Sequence, residues 1–365
     1  MQTTIPTTHS ITNRYLRYLP AGFMLLFFLA GLVMSLLSPA VLKSPEGKKF
    51  LNGEWTAAYE AVFNKSLAIR QPSIDTWGVL EYGLYKNGRD GVLVGDQDWI
   101  FTSEEFKFYL DAEQGIQEKL ELASQAQTQL AEQGIQLVVA VIPSKARVYS
   151  EYLGRYEFPA YNQDLYASFI KSLESRNITV VNLLDPLNVA KSNAAVFLKT
   201  DTHWTPFGAE IAAKEIARVV AKKDLLPSLG SSSYQTLISE TINHKGDLLT
   251  YLPLGALQER IGPKFDVLEQ RLTEGSGESG ELFGSDSIPV ALVGTSYSAN
   301  PLWNFEGALK EALGADVLNV ANEGEGPVVP MEDYLAGQEL QDAPPEVVIW
   351  EIPERFISVN SNDQK

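Results

Sequence analysis

The sequence predicts an α/β fold of three layers, in which helices cover both faces of a mostly parallel sheet, preceded by one N-terminal transmembrane helix. Three observations carry this. Short apolar runs such as Leu137-Val-Val-Ala-Val-Ile-Pro143 have the length and composition of buried strands. They alternate with longer segments of helical periodicity, the order that builds a parallel sheet covered on both sides. Ahead of them, Tyr18 to Leu42 holds no charged residue, and about 20 apolar residues in a helix cross a bilayer core.

Residues 1–17 form a short tail, in which His9 has no expected role, and residues 18–42 the transmembrane signal anchor. A cleavable signal peptide is the rival, with Ser38-Pro39-Ala40 as its processing site. The uncharged run exceeds the usual ~7–15-residue apolar region of such peptides, and Pro39 falls inside the cleavage motif, so the anchor is favoured. Arg14 and Arg17 argue for a cytoplasmic N-terminus, while Lys43, Lys48 and Lys49 on the other side blunt that rule.

A single globular domain is expected over residues 50–360. Glu54 to Leu67 has helical spacing, and Gly91-Val-Leu-Val94 and Trp99-Ile-Phe101 suggest a hairpin. Ser103 to Gln133 reads as a helix stopped by Gly134, followed by the strand Leu137–Pro143. A helix about Asp164–Ser175 and a strand Thr179–Leu183 come next. The helix Pro206–Lys222 has proline in its first turn, where the missing N–H has no helical partner. Arg271 to Ser287, rich in Gly, Ser and Glu, reads as an acidic surface loop, with a lid as the alternative. The strand Pro289–Gly294, a helix about Asn304–Leu313 and the strand Glu346–Glu351 complete the alternation.

Composition narrows the function. A hydrophobic content of 45% with 21% charged residues is normal for a globular chain of 365 residues. The absence of cysteine excludes disulfides and thiolate chemistry. A net charge of -17 without any Lys/Arg run argues against nucleic acid as a partner.

The chemistry lies in Asp201-Thr-His203-Trp204 and Gly294-Thr-Ser296-Tyr297-Ser298. Asp201 and His203, two positions apart in an extended segment, project to one side, so the carboxylate holds one imidazole nitrogen while the other faces a reacting group. Ser296 supplies that group, at a turn leaving a buried strand. Together they read as a Ser-His-Asp acyl-transfer site at the strand ends. The backbone N–H of Ser296 or Tyr297, or the Tyr297 hydroxyl, would stabilise the oxyanion. Lys145 and Arg355 are candidates for a basic substrate patch, against the alternatives of a solvated lysine and a structural ion pair. Trp204 would stack on a sugar ring or close the core. His244 reads as a surface-turn residue, with a place lining the cleft as the alternative. No cofactor is expected, and no metal either, because Asp201 and His203 lack a convincing third ligand.

The same residues, with Lys86-Asn-Gly-Arg-Asp-Gly-Val92, Val141-Ile-Pro-Ser-Lys145, Lys199-Thr-Asp-Thr-His-Trp-Thr-Pro-Phe-Gly-Ala209, Asn319-Val-Ala-Asn-Glu-Gly324 and Ile349-Trp-Glu-Ile-Pro-Glu-Arg355, resemble the alginate O-acetyltransferase family in the same order. The resemblance covers about Phe50 to Arg355, with the acid and base before the serine and one residue between them. It implies an SGNH hydrolase-like fold and transfer of acetyl to an exopolysaccharide, with mannuronate residues of alginate as acceptor. It also implies an inner-membrane anchor, a periplasmic catalytic domain, an integral-membrane acyltransferase as acetyl donor and other polysaccharide-export proteins as partners. The chain ends shortly after Arg355, as expected of the membrane-anchored branch without a C-terminal carbohydrate-binding domain. A polysaccharide acetylesterase and a non-catalytic polymer-binding subunit are the competing readings.

Overall fold

The computed structural model describes residues 18–37, 43, 45–275 and 288–361. The tail with His9, the Ser38-Pro39-Ala40 segment and most of the acidic loop lie outside the described residues. The chain divides into two units, one comprising the described residues up to Tyr85 with Pro253–Gln258, the other Lys86–Leu252 with the residues from Glu259 onward. The helices between residues 54 and 85 group with the N-terminal segment in the first of these units.

In the first unit, α1 (Leu19–Leu36) has a mean hydropathy of 2.2, and only Gly31 and Ser35 on it are buried. Its length and composition fit a membrane anchor. The expected helix after it is α2 (Glu54–Ser66), followed by α3 (Arg70–Tyr85), which sequence reading left unassigned. Gly78 of α3 lies against Pro253, where an added Cβ would stand 2.4 Å from the proline carbonyl oxygen.

The second unit opens with the expected hairpin, β1 (Val92–Val94) paired antiparallel to β2 (Ile100–Thr102). The helix expected from Ser103 starts later. Ser103–Phe106 is a 3₁₀ turn capped by the Thr102 hydroxyl, and the long helix is α4 (Ala112–Ala131). Glu105 leaves the helical pattern because its carboxylate accepts the amides of Lys145 and Ala146 at 3.0 and 2.8 Å. Gly134, at φ 78°, makes the left-handed stop that the sequence signalled.

Next come β3 (Gln136–Ile142), α5 (Leu165–Ser175), β4 (Thr179–Asn182), α6 (Pro206–Lys223), β5 (Tyr234–His244) and β6 (Asp266–Gly275). They are followed by β7 (Val290–Val293), α7 (Phe305–Leu313), β8 (Val317–Asn319), α8 (Val328–Ala336) and β9 (Val347–Pro353). Five strands form a parallel sheet in the order β4-β3-β9-β7-β8. Alternate residues serve opposite faces. Val138, Ala140, Val290, Leu292, Val347 and Ile349 pack with residues of α6 and α7, whereas Val139, Val141, Ala291, Val293, Val348 and Trp350 pack with residues of α4, α5 and α8. The three layers thus follow from strands apolar on both sides. Last into the sheet is β9, inserted between β3 and β7, so its C-terminal residues sit at the sheet centre. The antiparallel pair of β5 and β6 was not foreseen, and Arg271–Gly275, read as loop, belongs to β6. Its strands are polar and half exposed, so they lack the apolar run that marks the central strands.

Candidate active site

Turns at the C-terminal ends of the parallel strands build the site. After β7, Thr295 caps a short helical turn, Ser296–Ala299, that begins with the candidate nucleophile. Gly294 precedes it because a Cβ there would meet Glu351 Oε2 at 2.5 Å. The loop with Asp201 and His203 is closed by an antiparallel bridge between Phe197 and Trp204, with Leu198 N donating to His203 O at 3.1 Å. This corrects the expectation of an extended segment. The two side chains meet because the loop bends and His203 N donates to Asp201 Oδ1 at 3.0 Å, a local turn mimicked by the carboxylate.

Within this frame Asp201 Oδ1 lies 2.6 Å from His203 Nδ1, and His203 Nε2 lies 2.7 Å from Ser296 Oγ. The three predicted residues form one hydrogen-bonded line, the geometry of an acid, a base and a nucleophile. Asp201 Oδ2 accepts from His244 Nε2 at 2.8 Å and from Asp247 N at 3.0 Å. Burial alone would raise the Asp201 carboxyl, but the hydrogen bonds from His203 and His244 outweigh it and hold the group well below the usual carboxylate range. The hydrogen bond to Asp201 in turn raises His244 above its ordinary value. His244 is therefore part of the site rather than a surface-turn residue, brought there by the end of β5.

Asp201, His203 and Asp247 bring ligand-type atoms within 4.8 Å of one another, which supplies the third group missing from the sequence reading. Both Asp247 oxygens already accept from Thr202, at 2.8 and 2.7 Å. With Asp201 also bonded on both oxygens, the donor set is engaged in holding the loop, and its fit to a metal ion is poor.

The remaining predicted residues divide. Lys145 is buried, with its ammonium donating to the carbonyls of Leu198, Lys199 and Asp201 at 3.1, 3.3 and 2.6 Å, and burial lowers it to about 8. It fastens the loop carrying Asp201 and is no surface patch. Trp204 is 0% exposed, edge-on to Tyr297 and tilted against Phe305, so it closes the core and meets no sugar. The Tyr297 hydroxyl donates to Thr202 O at 2.8 Å and is turned away from an oxyanion role. Arg355 lines the same cleft as Ser296, about 570 Å³ in volume, with Lys107, Tyr109, Gly324 and Gly326. Its side chain is 9% exposed, and Nε lies 3.5 Å from Glu104 Oε2.

Two residues of the site went unread. Trp303 stacks on the His203 ring at 5.1 Å and donates from Nε1 to Ser296 O at 3.2 Å. Glu351, fully buried on β9, accepts from Thr295 N at 2.8 Å, Thr295 Oγ1 at 3.0 Å and Ser298 Oγ at 3.0 Å. Burial pushes its carboxyl up to about 7. A single acidic residue inside the apolar run Val347-Val-Ile-Trp-Glu-Ile352 was the signal that could have found it.

The family described as SGNH hydrolase-like domain, acetyltransferase AlgX, matches residues 92–354. The chain belongs to this family. The matched span of this SGNH-like acetyltransferase relative runs from β1 to the turn after β9 and takes in Asp201, His203 and Ser296. The chain is 41% identical to the protein named "Probable alginate O-acetylase AlgJ" of Pseudomonas fluorescens, over 96% of this chain and 89% of that one. Against the protein of the same name from Pseudomonas aeruginosa it is 40% identical over 94% and 90%. The solved O-acetyltransferase domain of Pseudomonas putida AlgJ is similar with a TM-score of 0.68 and 43% identity, covering 74% of this chain and 94% of that one.

Proposed function

We propose that the chain is an O-acetyltransferase that passes acetyl groups through an acetyl-Ser296 intermediate to hydroxyls of an exopolysaccharide, with mannuronate residues of alginate as acceptor. The observation that carries this reading is the unbroken hydrogen-bonded line Asp201–His203–Ser296 opening into a cleft. The names of the AlgJ relatives support the substrate.

His203 Nε2 takes the Ser296 proton while Oγ attacks the acetyl carbonyl, and the leaving group departs with that proton. Asp201 holds the Nδ1 proton and steadies the imidazolium that forms between these events. An acceptor hydroxyl then gives its proton to His203 and attacks acetyl-Ser296, and Ser296 recovers a proton as the ester bond breaks. The Ser296 amide, at the start of its helical turn, is the proposed oxyanion donor. Arg355, the buried cation lining the cleft, is the proposed partner of the acceptor's carboxylate, which reconciles an anionic polymer with a chain of net charge -17.

On the anchor reading of residues 18–42 the enzyme would sit on the inner membrane, and the family resemblance supports a catalytic unit in the periplasm, where an integral-membrane acyltransferase would supply acetyl and other export proteins would present the polymer. Incubation with p-nitrophenyl acetate, without acceptor, tests the covalent step by intact-mass spectrometry. One added acetyl mapping to residues 294–298 and absent in Ser296→Ala is expected, whereas modification spread over lysines with none on Ser296 rejects the mechanism. Adding deacetylated oligomannuronate then distinguishes transfer, which yields acetylated sugar, from an esterase, which yields acetate alone.

A further inference from the structure

The first unit carries an apolar stripe that its own fold leaves uncovered. Trp77, Leu80 and Leu84 of α3 are 63%, 47% and 70% exposed. Their spacing puts them on one helix face. Gly78 and Tyr82, the buried residues of α3, occupy the other side, with Pro253 over Gly78. The second half of the helix, from Trp77 onward, is thus packed through Gly78 and Tyr82 and apolar on its outer face.

The level of this unit along α1 shows what covers the stripe. Ile69, at the corner between α2 and α3, packs on Gly31, where an added Cβ would stand 2.5 Å from Ile69 Cδ1. Gly31 precedes the last residue of α1, Leu36, by five positions, or about 7.5 Å at the helical rise. The corner therefore lies inside the end of the membrane-spanning helix, within the ~5–10 Å depth at which amphipathic helices rest in the headgroup and acyl boundary. Its chain is fit for that depth. Leu67, Ala68 and Ile69 are apolar, and the turn closes its own hydrogen bonds, Arg70 N to Leu67 O at 2.9 Å and Ser73 N to Ile69 O at 3.0 Å. Arg70 follows at once, long enough to reach headgroups. A tryptophan on the stripe suits the same boundary.

We propose that α3 is an interfacial helix, seated with Trp77, Leu80 and Leu84 in the lipid leaflet from which α1 emerges. The chain then has two membrane footholds, a span and a helix lying on the surface. The occupant is lipid rather than protein because the corner from which α3 starts packs on Gly31 of the span itself. It is apolar rather than basic, with Arg70 offset by Asp75 and Glu81 on the same helix, so anionic headgroups are not required. The inference rests on the reading of α1 as a membrane span.

The absence of cysteine makes the test direct. Single substitutions Trp77→Cys, Leu80→Cys and Leu84→Cys, with Leu26→Cys in α1 and Lys222→Cys on α6 as references, are labelled with an environment-sensitive fluorophore in the full chain and reconstituted into phosphatidylcholine vesicles. The proposal expects labels at 77, 80 and 84 to be blue-shifted, quenched by nitroxide borne on the acyl chains and shielded from iodide, as at 26 and unlike 222. Iodide quenching at the three positions with 26 in lipid overturns the interfacial helix and leaves the span standing. Shielding from both quenchers means a protein occupant or a second copy, and overturns lipid as the partner. Iodide quenching at 26 as well removes the span and the proposal together.

Discussion

Replacing Glu351 by glutamine should flatten the pH dependence of stability while leaving the nucleophile turn in place. Burial raises the Glu351 carboxyl from 4.5 to about 7, against the lowering effect of the hydrogen bonds from Thr295 and Ser298. Below pH 4.5 the group is protonated in both folded and unfolded chains and contributes no slope. Between 4.5 and about 7 the unfolded chain releases the proton while the folded chain keeps it, so the unfolded state binds fewer protons and stability falls as pH rises. Above about 7 both forms are ionised and the decline ends. That interval corresponds to roughly 3 kcal/mol. Glutamine satisfies the same partners without ionising. Its carbonyl oxygen, placed at Oε2, accepts from Thr295 N and Ser298 Oγ, and its amino group faces Thr295 Oγ1, which lies 3.2 Å from Oε1. Urea unfolding of the full chain in a mild detergent, followed by tryptophan fluorescence from pH 4.5 to 8, reads the difference. Glu105, also raised by burial, titrates alike in both proteins, so the wild-type minus Glu351→Gln curve isolates Glu351. Wild-type stability should drop across the interval relative to the variant, and the variant should keep acetyl-transfer activity at pH 8. Parallel curves would refute the assignment of a raised, buried carboxyl, and a stable but inactive variant would refute the view that hydrogen bonding alone sets the turn.

Four further outcomes follow from the site. Asp201→Asn should fold yet lose on the order of 10⁴ in single-turnover acetyl transfer, because the amide cannot stabilise the imidazolium; a near wild-type rate would transfer the orienting role to Asp247. His244→Ala removes one charge-assisted hydrogen bond from Asp201 and should lower kcat about tenfold or more with KM little changed, and an unaltered kcat would make His244 a bystander. Lys145→Met leaves the carbonyls of Leu198, Lys199 and Asp201 without their ammonium donor, so the urea midpoint should fall by the equivalent of about 3 kcal/mol and kcat with it; unchanged stability would contradict the fastening role. Arg355→Met should raise KM for an oligouronate while sparing a neutral oligosaccharide acceptor, and equal effects on both would argue for a structural cation only.

The central architecture was legible because parallel strands buried on both faces are apolar throughout, as in Leu137–Ile142 and Val290–Val293, and need no partner to be recognised. The Asp201, His203 and Ser296 set was legible for a related reason: its short motifs place the residues at a loop and a strand exit, where function concentrates. The sequence also marked the N-terminal apolar helix, whose length matches a bilayer whatever follows it. Tertiary structure decided what depends on direction and burial. Lys145 and Arg355 look equivalent as isolated cations beside strands, yet one points into three carbonyls and the other lines the cleft, because the loop of residues 198–201 crosses over the first while the second sits in the cleft wall with Ser296. Of the two readings open for Trp204 the fold decides for the core, the bridge between Phe197 and Trp204 turning its indole inward, while Trp303, unmarked in the sequence, stacks on His203. His244 and Glu351 reach the site only through distant pairing, by the hairpin of β5 and β6 and by insertion of β9 beside β7. Neither contact has a local pattern, since a side chain's partner across a sheet is fixed by strand order and register, which short-range periodicity does not encode.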